Sequence, residues 1–157
     1  MKTVIDDLIR SIKRIKPETI YARSVDQEAL DEAVEANKAQ LERGELDNDI
    51  SLANYSRETV ARNNKRRTKV STSDVIKFKD TGNFHRSIKA KITRDGELTL
   101  YSRSKKSKYS QDYVDARPDL YEDGSVLGLQ EHNLSIWYEQ FVEDKFQQML
   151  IDRILNY

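Results

Sequence analysis

The chain has 157 residues, which fits one domain, and it contains no cysteine, so disulfides, thiolate metal sites and a cysteine nucleophile are excluded. Charged residues make up 34% and hydrophobic residues 37%, and this low apolar share predicts a thin core with some surface buried against partners. Acidic residues near the start, and the lack of any apolar run of about 18 residues, favour a soluble protein made in the cytoplasm with no membrane partner.

The net charge of zero conceals three segments of different sign. Residues 1–56 hold 8 Lys or Arg and 12 Asp or Glu, residues 57–109 hold 16 and 5, and residues 110–157 hold 3 and 10. The basic middle can be neutralised by the acidic ends of the same chain, by the ends of a neighbouring subunit, or by a polyanion. Composition leaves all three interpretations open.

Residues 1–45 are predicted to contain two helices. Apolar residues recur at helical spacing over residues 4–15, and Pro17 should end this first helix, which spans about residues 3–16. The stripe predicts that the first helix packs on the main β-hairpin of the chain.

The second helix is predicted over about residues 25–43. Ser24 and Gln27 match a capping box at its start, and Gly44 supplies the usual glycine at its end. Its apolar stripe is weak, which predicts a peripheral position.

The basic middle, residues 46–110, is predicted to be rich in β-structure. Alternating apolar residues favour a short strand within 46–55, and Ser56 can cap a short helix at 56–64. The run at about 63–73 is polar, basic and without period, which indicates a mobile loop.

Asp95-Gly96 is the strongest β signal, because this dipeptide is typical of a hairpin turn. It joins a predicted strand at 88–94 to a second one at 97–102, where apolar and polar residues alternate. Residues 102–110 are interpreted as another polar loop.

The acidic C-terminal part, residues 111–157, is predicted to be helical. A short helix at 111–120 is broken near Pro118, and a small apolar cluster follows at 126–129. Apolar residues from 134 to 154 then mark one long amphipathic helix that carries the only Trp. The expected fold class is α+β: a small antiparallel hairpin packed by the long C-terminal helix and the N-terminal helices, with the whole chain as a single domain.

Asp80-Thr81-Gly82 is the triplet that aspartic proteases use to activate water. Here Lys77 and Lys79 would hold the aspartate ionised, whereas the protease pair must share a proton. A turn with Gly82 at positive φ explains the triplet better, so a hydrolase is the weakest of the functional hypotheses.

Catalytic, cofactor and metal sites are all predicted to be absent. The chain has no phosphate-binding loop, dinucleotide motif or nucleophile elbow, and its two histidines lack the spacing of zinc ligands. His85 is expected on the polar face of a strand, and His132 near the start of the last helix beside Asn133, a fitting cap.

The basic side chains of the middle are the candidate contacts for an acidic partner or for phosphates. They are Arg62, Lys65, Arg66, Arg67, Lys69, Lys79, Arg86, Lys89 and Lys91. No aromatic residue interleaves with the run from Arg62 to Lys69, which disfavours base stacking, and no recognition helix or zinc finger accompanies it. Later tyrosines can line an interface or form half-buried sheet surface; they are Tyr101, Tyr109, Tyr113 and Tyr121.

A short turn and core motif follows the basic run, and a Gly128-Leu129 pair precedes the last helix. The motif consists of Asp80, Thr81, Gly82, Phe84, Ser87 and Ile88. Over about residues 40–155 this layout resembles the small virion proteins of tailed bacteriophages that join head to tail or complete the tail. Those carry a similar segment, Thr-Gly-x-(aromatic or Leu)-x-x-Ser-(Ile or Leu), and the Gly-Leu variant is similar to versions from phages of Bacteroidetes hosts.

The resemblance implies an α+β fold without catalysis and assembly into a ring at the neck or tail terminus of the virion. Its partners would be copies of itself and neighbouring portal, adaptor or tail proteins, with DNA nearby and no small-molecule substrate. The alternative is a nucleic-acid-binding accessory protein that uses the basic middle.

Overall fold

The computed structural model describes residues 4–65, 69–78 and 82–155. These residues form nine helices and one two-stranded antiparallel sheet, which confirms the predicted α+β class. The helices are α1 (Val4–Arg14), α2 (Pro17–Ser24), α3 (Gln27–Arg43), α4 (Arg57–Asn64), α5 (Asn83–Ser87), α6 (Lys105–Asp115), α7 (Pro118–Tyr121), α8 (Glu131–Phe141) and α9 (Glu143–Leu155). The strands are β1 (Ile88–Ile92) and β2 (Leu98–Ser102).

The hairpin predicted from Asp95-Gly96 is confirmed. Strand β1 pairs with β2 so that Ala90 lies opposite Leu100, and Gly96 adopts the positive φ, 84°, that the turn requires. Lys89 lies on the exposed face of β1, whereas Ile88 is buried. One face of the sheet therefore packs on the helices and the other carries charge.

Helix α3 lies at the centre of the fold, so the predicted peripheral position is wrong. It packs against both β1 and α8. Its buried face consists of Ala29, Ala33, Val34, Asn37, Gln40 and Leu41. The N-cap is Asp26, which accepts a hydrogen bond from the Ala29 N–H, rather than Ser24, which ends α2. Gly44 ends the helix with φ at 72°, as predicted.

Two hydrophobic clusters hold the elements together. The larger one joins the C-terminal half of α3 to the hairpin, α6 and α7, and its fully buried side chains include Leu41, Phe84 and Tyr121. The second one joins the N-terminal half of α3 to Trp137 and Val142, with hairpin residues packed beside them. Hairpin residues therefore contact the cluster that contains Trp137, but the main packing partners of α8 and α9 are α3 and α2 rather than the predicted hairpin.

The C-terminal part contains two helices where one long helix was predicted. Between α8 and α9, Val142 adopts φ of −122° and ψ of −43°, which departs from helical geometry. Val142 is 1% exposed within the second cluster, and α9 beyond it packs on α2 and α1. The bend lets both helices reach the rest of the fold. The main packing partner of α1 is α9, so the prediction that it packs on the hairpin is wrong.

The segment 46–55 forms no continuous strand. Isolated bridges instead pair Glu45 with Ser51 and Asn54 with Val75. Pro17, predicted to end the first helix, begins α2 three residues after α1 ends.

Two further predictions concern the loops of the basic middle. Ser56 caps α4 as predicted, because its Oγ accepts a hydrogen bond from the Thr59 N–H at 3.2 Å. The polar loop predicted at 102–110 is wrong, since Ser104 caps α6 and the helix begins at Lys105. Of the loop predicted at 63–73, residues 63–64 end α4 and 66–68 lie outside the described residues.

Candidate functional site

A groove of about 540 Å³ opens between α4, α6 and the segment 75–78. We call it the basic groove and define it by the side chains that give it its chemistry. They are Tyr55, Arg62, Lys106, Tyr109, Tyr113 and Arg117.

Backbone pairing holds the two sides of the groove in place. The Ile76 N–H donates to the Ala53 carbonyl and the Tyr55 N–H to the Asp74 carbonyl, both at 3.0 Å. This pairing fixes the segment 75–78 beside the start of α4, where the Ser56 cap sets the direction of the helix. The side chain of Arg62, in the last turn of α4, therefore reaches the groove.

Aromatic rings form the wall on the side of α6. The rings of Phe78 and Tyr113 meet edge to face with centroids 5.9 Å apart, and Tyr121 packs behind Tyr113 at 6.1 Å. Phe78 has φ of 50°, a left-handed conformation that costs a non-glycine residue about 1–2 kcal/mol. The packing of its ring against Tyr113 offsets part of this cost. Tyr109, at the rim, is 69% exposed.

The guanidinium of Arg117 lies over one ring of the groove wall. Its Cζ is 3.9 Å from the centroid of the Tyr113 ring, and its Nη1 donates to the Tyr113 carbonyl at 2.9 Å. Burial raises the pKa of the Tyr113 phenol, the hydrogen bond with Tyr121 raises it further, and Arg117 opposes both. The phenol is therefore a neutral hydrogen-bonding group at physiological pH.

The groove carries positive charge. Within the part of the chain that the structure describes, its lining includes Arg62, Lys106 and Arg117 and no Asp or Glu. Cations that share a concave surface with aromatic rings attract ligands with negative charge and a flat ring or apolar part.

The predicted basic contacts do not form one surface. Of those that the structure describes, only Arg62 lines the basic groove. Lys65 and Lys69 are exposed beyond the end of α4, and the Nζ of Lys91 lies 5.7 Å from the centroid of the Tyr101 ring. Two more are exposed on α5 and β1, namely Arg86 and Lys89. Arg66, Arg67 and Lys79 lie outside the described residues.

The turn and core motif is placed largely inside the fold. Gly82 precedes α5 with φ of 72°, while Phe84 and Ile88 are 1% and 4% exposed. The Ser87 Oγ donates to the Phe84 carbonyl at 2.7 Å and also lies 2.6 Å from the Ser102 Oγ, which ties α5 to β2. Asp80 and Thr81 lie outside the described residues.

The predicted position of His85 on the polar face of a strand is wrong. His85 lies in α5, is 5% exposed, and its Nε2 is 2.8 Å from the Lys77 carbonyl. His132 is exposed in the first turn of α8, whose N-cap is Gln130 rather than Asn133.

The basic groove is absent from the sequence-based predictions, although the sequence of α6 contains a signal for it. Lys106 is followed three, four and seven residues later by Tyr109, Ser110 and Tyr113, a pattern that places them on one face of a helix. Because residues 102–110 were predicted to form a loop, this helix face was not predicted.

No protein-family model, curated protein or solved structure matches this chain. Among the helices that the structure describes, none is long and apolar enough to cross a membrane. The described residues also include no group of three or more His, Asp or Glu that could hold a metal ion.

Proposed function

We propose that this chain is a non-enzymatic structural virion protein of a tailed bacteriophage, acting as a homo-oligomeric ring or adaptor at the head–tail neck or the tail terminus. The place in the virion rests on the resemblance of the turn and core motif. Self-assembly is supported by one structural observation, the exposed apolar stripe of α1. Ile5, Ile9 and Ile12 on this stripe are 66%, 45% and 48% exposed.

These three isoleucines recur at the spacing of one helix face, which a monomeric protein would normally bury. Helix α1 packs on α9, where Ile151 and Leu155 are 49% and 75% exposed. Two contacting helices thus both present large apolar side chains to solvent. Such a surface favours burial against another protein chain.

The charge distribution favours a second copy as the occupant. The chain is acidic over residues 110–157 and basic over residues 57–109. A neighbour's acidic part can face the exposed Arg86 and Lys89 of the basic middle, which is a head-to-tail contact. Head-to-tail contacts between identical subunits close into rings when the rotation between the subunits allows it.

Light scattering coupled to size exclusion tests assembly. The wild-type chain should elute as a multiple of its 18.3 kDa mass at high concentration, with a dependence on salt. Ile5→Glu should shift the mass to that of the monomer, and Ile5→Leu should retain the oligomer. Because Ile5 is exposed in the first turn of α1, where an acid is favoured by the helix dipole, the Glu variant should fold. A wild-type chain that stays monomeric at every concentration would contradict the proposal.

The place in the virion has its own test. Mass spectrometry of purified particles should detect the chain at a fixed copy number, and portal and tail genes should flank its gene. Absence of the chain from purified particles would refute a structural role in the virion even if the chain forms oligomers.

The alternative function is a nucleic-acid-binding accessory protein that uses the basic middle, and it is favoured by Lys65 and Lys69, which are exposed beyond the end of α4. Its affinity for duplex DNA should fall steeply with salt, and replacing Lys65, Arg66 and Arg67 with Ala should weaken it. Unaltered binding by this triple variant would exclude a role for the basic run.

A further inference from the structure

We propose that the basic groove binds single-stranded nucleic acid, with a base stacked on Tyr109 and the adjoining phosphates held by Arg62 and Lys106. This inference is independent of the virion role, because it uses a surface remote in sequence from α1 and α9. It differs from the sequence-based expectation that base stacking beside the basic run is disfavoured.

Size and charge both suit a nucleotide unit. The groove volume of about 540 Å³ lies within the roughly 300–1,000 Å³ of sites that enclose small ligands. Arg62 and Arg117 come from opposite sides of the groove, and no carboxylate in its described lining opposes a phosphate. A single strand exposes base faces that can stack on a protein ring, whereas the bases of a duplex are already stacked on one another.

Tyr109 is the ring that a base can use. Tyr113 has one face covered by Arg117 at 3.9 Å and its flank packed against Phe78. Tyr109 sits at the rim on the same helix and is 69% exposed, so its ring offers surface for stacking. Stacking on an aromatic side chain combined with cations along the backbone is the usual mode of single-strand binding.

Further cations are exposed on the helices that form the groove or just beyond them. Lys105 and Lys108 are exposed on α6, and Lys65 and Lys69 are exposed beyond the end of α4. They would contact the phosphates that precede and follow the bound unit. An acidic peptide would meet the same charge requirement. It has no base to stack on the ring of Tyr109, so an apolar side chain at that position would bind it equally well.

Fluorescence anisotropy with the full chain and a labelled oligothymidylate of about 20 nucleotides tests the proposal. Affinity should fall steeply between about 50 and 200 mM salt. Tyr109→Leu should weaken binding about fivefold or more, whereas Tyr109→Phe should stay within about twofold of wild type. Because Tyr109 is exposed, neither variant should disturb folding, which circular dichroism checks.

Charge variants distinguish binding in the groove from non-specific binding elsewhere on the surface. Arg62→Ala should weaken binding and reduce its salt dependence, whereas Lys38→Ala, on α3 and outside the groove lining, removes the same charge and should leave affinity unchanged. Equal binding of oligothymidylate by Tyr109→Leu and wild type would overturn the proposal. So would a duplex or a polyglutamate peptide that binds as tightly as the oligothymidylate, since each would assign the groove to a different ligand.

Discussion

Gln40 joins α3 to the segment that leads into α8, and its replacement should destabilise the fold. The side chain is completely buried. Its Oε1 accepts hydrogen bonds from the Gln130 N–H at 3.0 Å and from Asn133 Nδ2 at 2.8 Å. Its Nε2 donates to the Gly128 carbonyl at 3.0 Å. Gln40→Met retains most of the side-chain volume and removes all three bonds, which isolates the polar contribution.

The expected loss of stability depends on which hydrogen-bond partners of Gln40 keep another partner in the variant. The Gln130 N–H has none among the described residues, and an unpaired buried donor costs about 1–3 kcal/mol. The Gly128 carbonyl retains its bond from Asn37 at 2.8 Å, and Asn133 retains its bond to Gln130 Oε1, so each adds only about 0.5 kcal/mol. We expect Gln40→Met to lower the free energy of unfolding by about 2–4 kcal/mol, and Gln40→Ala to lower it further through the cavity it leaves.

Urea denaturation monitored by tryptophan fluorescence measures this loss of stability. Trp137, the only Trp, is buried beside α3 and reports on the same part of the fold. Lys38→Ala is the control, since the Lys38–Glu35 ion pair on α3 is solvent-exposed and its loss should change stability by less than about 1 kcal/mol. A Gln40→Met protein within about 0.5 kcal/mol of wild type would refute the reasoning about unpaired buried groups.

Three more changes have defined outcomes. Gly44→Ala should lower the free energy of unfolding in urea by about 1–3 kcal/mol, because φ is 72° and the added Cβ would lie 2.5 Å from Val75 Cγ2; wild-type stability would contradict this. Trp137→Phe should lower the thermal midpoint, because the Ala29 carbonyl loses a buried donor; an unchanged midpoint would argue against that bond. The pKa of Asp26 is lowered, first by the hydrogen bond from Lys145 and then by that from the Ala29 N–H. Its stabilising effect is therefore present above the ordinary carboxyl pKa and lost as pH falls through the folded-state value. The advantage of wild type over Asp26→Asn in urea should shrink below about pH 4, and an advantage independent of pH would contradict the assignment.

Features set by a few neighbouring residues could be predicted from the sequence. The hairpin turn at Asp95-Gly96, the Ser56 cap and the Gly44 helix end each depend on local backbone geometry and side-chain hydrogen bonds. These features can be predicted without knowing which other elements pack against them. The positive φ of Gly82 belongs to the same class.

The central position of α3 could not be predicted in this way. Its inward face carries Ala33, Asn37 and Gln40, which a hydrophobic pattern scores as weak or polar. Asn37 and Gln40 are buried because the segment 126–133 supplies their hydrogen-bond partners, far away in the sequence. Likewise, residues 131–155 contain no Gly or Pro to mark the bend at Val142, which follows from packing on α3 and α2.

The basic groove contains one feature that is determined locally and one that depends on tertiary packing. The face that carries Lys106, Tyr109 and Tyr113 could be predicted once α6 is recognised as a helix, because its spacing is local. The position of this face beside Arg62 could not be predicted from the sequence. It depends on the bridge between Asn54 and Val75, a tertiary contact between short, irregular segments that brings α4 beside α6. Aromatic residues that are separate from a basic run in the sequence can therefore stand beside it in space. The lack of interleaving along the chain is consequently no argument against stacking, and the ring of Tyr109 is where that conclusion can be tested.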